Sequence, residues 1–206
     1  MARPGPVRIL ILGGTAEAVA LAEVLEQQPS IEAIISLAGR TRTPAPTQGR
    51  TRRGGFGGVA GMRAFLAAEQ IAAVIDATHP FAARISANAA RACTTASIPR
   101  IALLRPPWMS VPGDNWHRVT DEHQAAQALP RNARAFLALG RQHIDAFASR
   151  SDVWFLIRVV DQPERSLLPG PHSVIAGRGP FTQEGELDLF ITHAITHIVA
   201  RNSGGS

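Results

Sequence analysis

The chain has 206 residues, of which 45% are hydrophobic and 18% are charged, and its formal net charge is +5. These values are typical of a globular protein with one large or two small domains, and no apolar run approaches the ~20 residues of a membrane span. The sequence has no lysine and no tyrosine. Their absence excludes a P-loop lysine, a Schiff base and the tyrosine–lysine pair of short-chain dehydrogenases. A single cysteine, Cys93, excludes a disulfide framework, and we interpret it as a buried thiol.

All 21 basic residues are arginine. This bias fits a GC-rich genome, a site for an anionic ligand, or a nucleic-acid surface, although no recognised nucleic-acid motif accompanies it. The first residues lead straight into an apolar run without the layout of a signal peptide. We therefore expect a cytoplasmic protein with a small-molecule substrate and neither a nucleic-acid nor a membrane partner.

The first half of the chain alternates strand and helix patterns. Strands are predicted at 7–12, 31–39, 71–77 and 98–104, helices at 15–28, 61–70 and 81–96, and a long loop at 40–58. This order is typical of an open parallel sheet with helices on both faces.

A Pro/Gly-rich stretch at 105–116 breaks the pattern, after which the alternation resumes. Strands are predicted at 133–139, 152–160, 172–177 and 196–201, and helices at 121–129, 141–148 and 182–194. The predicted fold is α/β, with two Rossmann-like domains at 1–112 and 113–206 and open, mostly parallel sheets flanked by helices. Because the last strand is followed only by turn residues, we expect a further helix and strand beyond Ser206 to complete the second domain.

A glycine turn follows the first strand in LILGGTAEA (10–18). Backbone N–H groups at such a turn, and at the helix that follows, can bind a phosphate. The residues assigned to cofactor binding here are Gly13, Gly14, Thr15, Ala16 and Glu17. Thr15 stands where the usual fingerprint has its second glycine, so a tight turn without a ligand is the alternative.

The second strand ends without the acidic residue that usually holds the ribose of NAD. It leads instead to Arg40 and Thr41, which we assign to the 2′-phosphate of NADP. More arginines follow at 42, 50, 52 and 53, and a solvated basic loop is the alternative interpretation.

Two further motifs belong to the first half. In GGFGG (54–58), Gly57 and Gly58 permit unusual backbone angles beside a bound cofactor, and Phe56 could cover a planar ring. In DATHPFAARIS (76–86), His79 could donate a proton or hydrogen-bond a ligand, and Thr78 offers a hydroxyl. Both are candidate catalytic residues, and Thr78 is also a candidate cofactor ligand; a structural histidine is the alternative.

The candidates in the second half again follow predicted strands. Arginines beside helix starts suit a ligand with several carboxylates, although each could be a surface charge. His193 and His197 are four residues apart, but no glutamate follows His193 and the helix ends between them, so we expect no metal site.

The motifs ILGGTAEA, GGFGG, DATHPFA, RPPW, GRGPF and NSGG occur in this order, and over essentially the whole chain they resemble the precorrin-6A reductase family. The resemblance implies NADPH bound mainly by the first of two Rossmann-like domains, a cleft between the domains, and reduction of one double bond of precorrin-6A to give precorrin-6B in cobalamin biosynthesis. Arg201 stands where the family usually has lysine. Residues expected to bind the substrate are Arg105, Arg141, Gln142, Arg158, Arg178, Asn202 and Ser203.

Two other classes stay open from the sequence. One is another Rossmann-like nucleotide-dependent enzyme of tetrapyrrole metabolism, such as a methyltransferase, against which Arg40 argues because S-adenosylmethionine has no 2′-phosphate. The other is a basic nucleic-acid-binding module, which would bind DNA or RNA with a strong salt dependence. The sequence does not indicate the oligomeric state.

Overall fold

A computed structural model describes residues 5–37, 49–177, 179 and 181–204. The chain divides into two compact units. The first comprises the described residues up to Trp108 together with Ser203 and Gly204, and the second is Met109–Asn202. The chain therefore passes from one unit to the other twice.

The first unit is a parallel sheet with helices. Its strands are β1 (Val7–Leu12), β2 (Ile31–Leu37), β3 (Arg50–Arg53), β4 (Ala73–Asp76) and β5 (Arg100–Ala102), and its helices are α1 (Ala16–Glu26), α2 (Gly58–Ala68) and α3 (Ala83–Ala96). The strand order is β3-β2-β1-β4-β5, and every pair is parallel. The carboxyl ends of the strands, where ligands bind in open sheets of this kind, therefore all lie at one edge.

Alternation along β1 builds the core on both faces of this sheet. Leu10 and Leu12 pack with Met62 and Leu66 of α2 and with α3, whereas Ile11 packs on the opposite face with Ala18 of α1. Successive side chains of a strand point to opposite faces, so a strand covered by helices on both sides has a continuously apolar sequence.

The second unit repeats this architecture on a smaller scale. Its strands are β6 (Arg134–Ala138), β7 (Trp154–Val159), β8 (His172–Ala176) and β9 (His197–Ala200), and its helices are α4 (Glu122–Ala128), a 3-10 helix (Arg141–Phe147) and α5 (Gln183–Thr192). The order is β8-β7-β6-β9, again wholly parallel. On one face Leu137 and Phe155 pack with Ala125 of α4 and with Ile144 of the 3-10 helix.

The α/β fold with two open parallel sheets confirms the fold predicted from the sequence. One local prediction was wrong. Residues 50–53, predicted as loop, form β3, because pairing with β2 needs only their backbone groups and leaves polar side chains in solvent. The helix predicted at 141–148 is present at Arg141–Phe147 and is of the 3-10 type, closed by bonds such as His143 N–H to Gly140 O at 2.9 Å.

Cys93 is buried and unpaired, as predicted, and burial raises the pKa of its thiol. Within the part of the chain that the structure describes, no helix combines the length and apolar character needed to cross a bilayer.

Candidate active site

The glycine turn leaves open space at the end of β1. Gly14 has φ +127°, a conformation that side chains rarely adopt, and a Cβ built there meets no atom within 4 Å. Gly13, by contrast, is packed closely, since a Cβ would lie 3.1 Å from Ile35. The turn is thus closely packed at Gly13 and open at Gly14. Helix α1 begins two residues later, and the backbone N–H groups of Ala16 and Glu17 have no partner within the helix.

Thr15 has a structural role that explains why it replaces the glycine of the usual fingerprint. It is the N-cap of α1, and its Oγ1 accepts a hydrogen bond from Ala18 N at 3.2 Å. The same hydroxyl donates to the Ala77 carbonyl at 2.9 Å. Thr15 is buried, so a contribution to phosphate binding falls to its backbone, while its side chain joins the glycine turn to the DATHPFA segment.

Glu17, on the first turn of α1, forms an ion pair with Arg105, with 3.1 Å between Oε1 and Nε. Arg105 also donates from Nη1 to the carbonyl of Gly204 at 3.3 Å. Gly204 has φ +65°, and a Cβ there would lie 2.1 Å from the Pro106 carbonyl oxygen, so only glycine fits. Arg105 and Ser203, both predicted to bind substrate, therefore belong to the first unit, and the Arg105 guanidinium already has two protein partners.

Arg52 organises the GGFGG loop. Its guanidinium donates to the carbonyls of Gly54 and Gly55 at 2.5 and 2.7 Å, and its Cζ lies 3.8 Å from the centroid of the Phe56 ring. Burial lowers the pKa of this guanidinium. Gly57 and Gly58, predicted cofactor ligands, both have positive φ and open space at Cβ. Phe56 is engaged by Arg52 and packs edge-on against Phe65 at 5.3 Å.

The arginines that follow β2 separate into three groups. Arg40, and Thr41 with it, lie outside the described residues. Arg50 is at the start of β3 and pairs with Glu69 at 2.8 Å. Arg53 is at the carboxyl end of β3, in register with Leu37 at the end of β2, and it is exposed. Of the described arginines in this segment, Arg53 is therefore the one that is exposed at the carboxyl edge of the sheet.

Asp76 ends β4 and is 4% exposed. Its Oδ2 accepts from Arg100 Nη1 at 2.9 Å, and its Oδ1 accepts from the Thr78 hydroxyl at 2.8 Å. The Thr78 oxygen lies 3.0 Å from the Ser86 hydroxyl of α3. Because a carboxylate can only accept, the Thr78 proton points to Asp76 and Ser86 donates to Thr78.

His79 follows in the turn between β4 and α3. Its carbonyl accepts from Ala82 N at 2.7 Å, and its ring Nδ1 accepts from the backbone N–H of Phe81 at 3.3 Å. A nitrogen that accepts a hydrogen bond carries no proton, so the neutral ring has its proton on Nε2.

In the second unit, predicted substrate residues lie at the carboxyl edge of the sheet. Arg141 is exposed at the start of the 3-10 helix that follows β6, and Gln142 lies beside it with its amide nitrogen 3.0 Å from His143 Nε2. Asn202 is exposed after β9. Arg178 lies outside the described residues.

Arg201 is held by Glu122 and His143. Its Nη2 bonds to Glu122 Oε1 and also lies 2.8 Å from His143 Nδ1. The bond from Arg201 is the main reason that the pKa of Glu122 is lowered. These residues come from α4, the 3-10 helix and the end of β9, so the cluster ties three elements together.

Arg158, also predicted to bind substrate, is engaged within the protein. It forms two bonds with Glu186, at 2.7 and 2.6 Å, and its Cζ lies 3.9 Å from the centroid of the Phe181 ring. A substrate carboxylate would have to displace Glu186 to reach it, so Arg141 is the more accessible cation at this edge.

Residues 8–206 match the family model of precorrin-6x reductase CbiJ/CobK. A precorrin-6A reductase of Rhodococcus erythropolis is 48% identical over 200 residues, covering 96% of this chain and 80% of that protein. One of Rhodobacter capsulatus is 48% identical over 201 residues, covering 97% and 79%. A solved structure described as CobK precorrin-6A reductase superposes with a TM-score of 0.92 at 46% identity, covering 97% of this chain and 79% of that one.

The chain belongs to the precorrin-6x reductase family. Membership confirms the resemblance found in the motifs and the prediction of an oxidoreductase. It also agrees with the two-sheet architecture, which the solved relative shares.

Sequence reasoning missed three residues that form polar contacts within or next to the DATHPFA motif. Asp76, Arg100 and Ser86 were not singled out, although Asp-x-Thr at a strand end is the signature of a carboxylate that accepts from the residue two positions on. That bond is present, from Thr78 N at 3.4 Å. Arg100 and Ser86 carry no local signal, because their role depends on the packing of β5 and α3 against β4.

Proposed function

We propose that this chain binds NADPH at the carboxyl edge of its first sheet and reduces one double bond of the precorrin-6A macrocycle, giving precorrin-6B in cobalamin biosynthesis. The observation that carries the proposal is the open glycine turn at Gly14. The turn leads directly into the N-terminus of α1 and is hydrogen-bonded through Thr15 to the DATHPFA segment, in a chain of this reductase family.

The residues present fit a dinucleotide. A side chain at position 14 would fill the space that the turn leaves open, and the α1 N-terminus offers its N–H groups and dipole to a phosphate. The β2 strand ends at Leu37 without an acid, and Arg53 lies next to it in register. We infer a preference for the 2′-phosphorylated cofactor, to which Arg40 would add a second cation.

The bound nicotinamide supplies the hydride, so the protein chiefly orients the partners and excludes water. His79, in the turn after β4, would hydrogen-bond the cofactor at this edge or donate the proton. Arg141, with Gln142 and Asn202 at the edge of the second sheet, would bind substrate carboxylates. Domain limits at 1–112 and 113–206, a cytoplasmic location and the absence of nucleic-acid partners stay predictions.

The deciding experiment measures NADPH oxidation, by loss of the near-ultraviolet absorbance of the reduced nicotinamide, when the protein is mixed with precorrin-6A. Calorimetric titration then compares NADPH with NADH. We expect turnover, and tighter binding of NADPH. Arg53→Ala should weaken NADPH by about 1.5–3 kcal/mol, as expected for a charged hydrogen bond, and leave NADH unchanged.

Arg50→Ala is the matched control, because Arg50 lies at the opposite end of the same strand and pairs with Glu69. It should not alter cofactor preference. Equal affinity for the two cofactors in the parent protein would contradict the NADPH assignment, and absence of NADPH oxidation with precorrin-6A would contradict the function.

A further inference from the structure

We propose that Asp76 is a positioning residue for the cofactor site: acting through Thr78, it fixes the turn that carries His79. The proposal rests on the proposed function and adds to it Asp76, Arg100 and Ser86. These three residues, with Thr78, form one continuous chain of polar contacts from β5 through β4 to α3.

The Asp76 carboxylate is buried, so its hydrogen-bond partners determine whether it can be charged there. Asp76 is 4% exposed, and each of its carboxylate oxygens has a protein donor. A buried charge is tolerated when it is paired and hydrogen-bonded. The Asp76 carboxylate therefore depends on its contacts with Arg100 and Thr78, and these two residues depend on the carboxylate. Removing the carboxylate leaves Arg100 unpaired and frees the Thr78 hydroxyl to rotate.

The direction of the bonds gives Thr78 a fixed role. Its proton is directed to Asp76 and its oxygen accepts from Ser86, so the hydroxyl is not placed to transfer a proton to a ligand. Thr78 instead anchors the turn that carries His79. In that turn the Phe81 N–H occupies Nδ1 of His79, which leaves the imidazole proton on Nε2.

The glycine turn depends on the same segment. Thr15 donates to the carbonyl of Ala77, the residue between Asp76 and Thr78. A displaced Thr78 would therefore disturb both the His79 turn and the link to the N-terminus of α1. In this proposal Asp76 contacts neither cofactor nor substrate. Its substitution should therefore weaken NADPH binding without changing the reaction.

The test compares Thr78→Val, Thr78→Ser, Ser86→Ala, Asp76→Asn and His79→Ala. NADPH affinity is measured by calorimetry, and the His79 tautomer by ¹⁵N NMR of histidine-labelled protein, with His79→Ala giving the assignment. We expect Thr78→Val to weaken NADPH about twofold to tenfold, as loss of a neutral hydrogen bond would, and Thr78→Ser to restore parental affinity. Thr78→Val should also change the ¹⁵N shifts of the His79 ring, because the turn that carries His79 loses its anchor.

Ser86→Ala should act in the same direction with a smaller effect, and the double variant Thr78→Val/Ser86→Ala should be no weaker than Thr78→Val alone. Asp76→Asn should match or exceed Thr78→Val. Thr95→Val is the control, since it removes a hydroxyl bonded to Arg91 O near the far end of α3. It should change neither readout.

If Thr78→Val and Ser86→Ala fold, bind NADPH like the parent and show unchanged His79 signals, the positioning role is overturned even though the parent reduces precorrin-6A. If the parent protein itself does not bind NADPH, the proposed function fails, whatever the variants do.

Discussion

At the scale of single residues, the structure separates arginines that look alike in the sequence. Arg52 and Arg158 are packed over phenylalanine rings and bonded to protein acceptors, whereas Arg53 and Arg141 are exposed at carboxyl edges. A guanidinium with its donors already used has little left for a ligand. The glycines also differ: Gly204 is required by close packing against the Pro106 carbonyl, Gly13 is closely packed, and Gly14 combines a positive φ with open space.

Gly14 gives the sharpest prediction at this scale. Gly14→Val should abolish NADPH binding, because the branched side chain would fill the space where a phosphate must approach. The added Cβ meets no protein atom, so the protein should still fold, with a loss of roughly 1–3 kcal/mol for the strained backbone. Calorimetry and thermal unfolding measure the two effects.

Gly5→Val is the matched control for this variant. Gly5 has open space at Cβ and no positive φ, so the same substitution should leave both measurements unchanged. Normal NADPH binding by Gly14→Val would show that the turn is only a connection between strand and helix.

At the scale of elements, ion pairs fix the ends of helices and strands. Glu122 on the first turn of α4 binds Arg201 after β9 and lies 3.1 Å from His143 Nδ1. An acid at a helix N-terminus is also favoured by the helix dipole. The cluster therefore fastens the edge strand β9 to the helix that packs on the same sheet.

The lowered pKa of Glu122 gives this cluster a pH dependence. A carboxyl group with a depressed folded-state pKa stabilises the fold above its unfolded-state pKa, and the stabilisation is lost as the pH falls through the folded-state value. Glu122→Gln should therefore lower the free energy of unfolding at neutral pH by about 1–3 kcal/mol. The difference from the parent should shrink in acid.

Urea unfolding at several pH values measures this difference. Glu23→Gln, at an exposed position of α1, is the control and should give curves parallel to those of the parent. A gap between Glu122→Gln and the parent that stays constant across the acid range would show that the ion pair adds nothing to stability.

At the scale of the whole molecule, two parallel sheets each present a carboxyl edge with different chemistry. The first edge carries the open glycine turn and the Asp76 chain of contacts. The second carries Arg141, Gln142 and Asn202. The proposed function assigns NADPH to the first edge and the substrate carboxylates to the second.

This division predicts that substitutions affect one ligand at a time. Arg141→Ala should raise the Michaelis constant for precorrin-6A roughly tenfold to a hundredfold, as loss of a charged hydrogen bond would, and leave NADPH affinity unchanged. Arg158→Ala should instead lower thermal stability, because it leaves Glu186 without its partner. If Arg158→Ala has the larger kinetic effect at unchanged stability, Arg158 rather than Arg141 binds the substrate.

The sequence by itself determined the two α/β units and nearly every strand and helix, because apolar periodicity and glycine turns are local signals. It also identified the family, from motifs that occur in a fixed order along the chain. It missed β3, since an edge strand of RTRR has no apolar pattern, and it missed the Asp76–Arg100 pair. Only the tertiary structure decided which arginines are already bonded within the protein and which are exposed. That distinction depends on partners from elements distant in sequence, such as Glu186 for Arg158, and no local pattern records them.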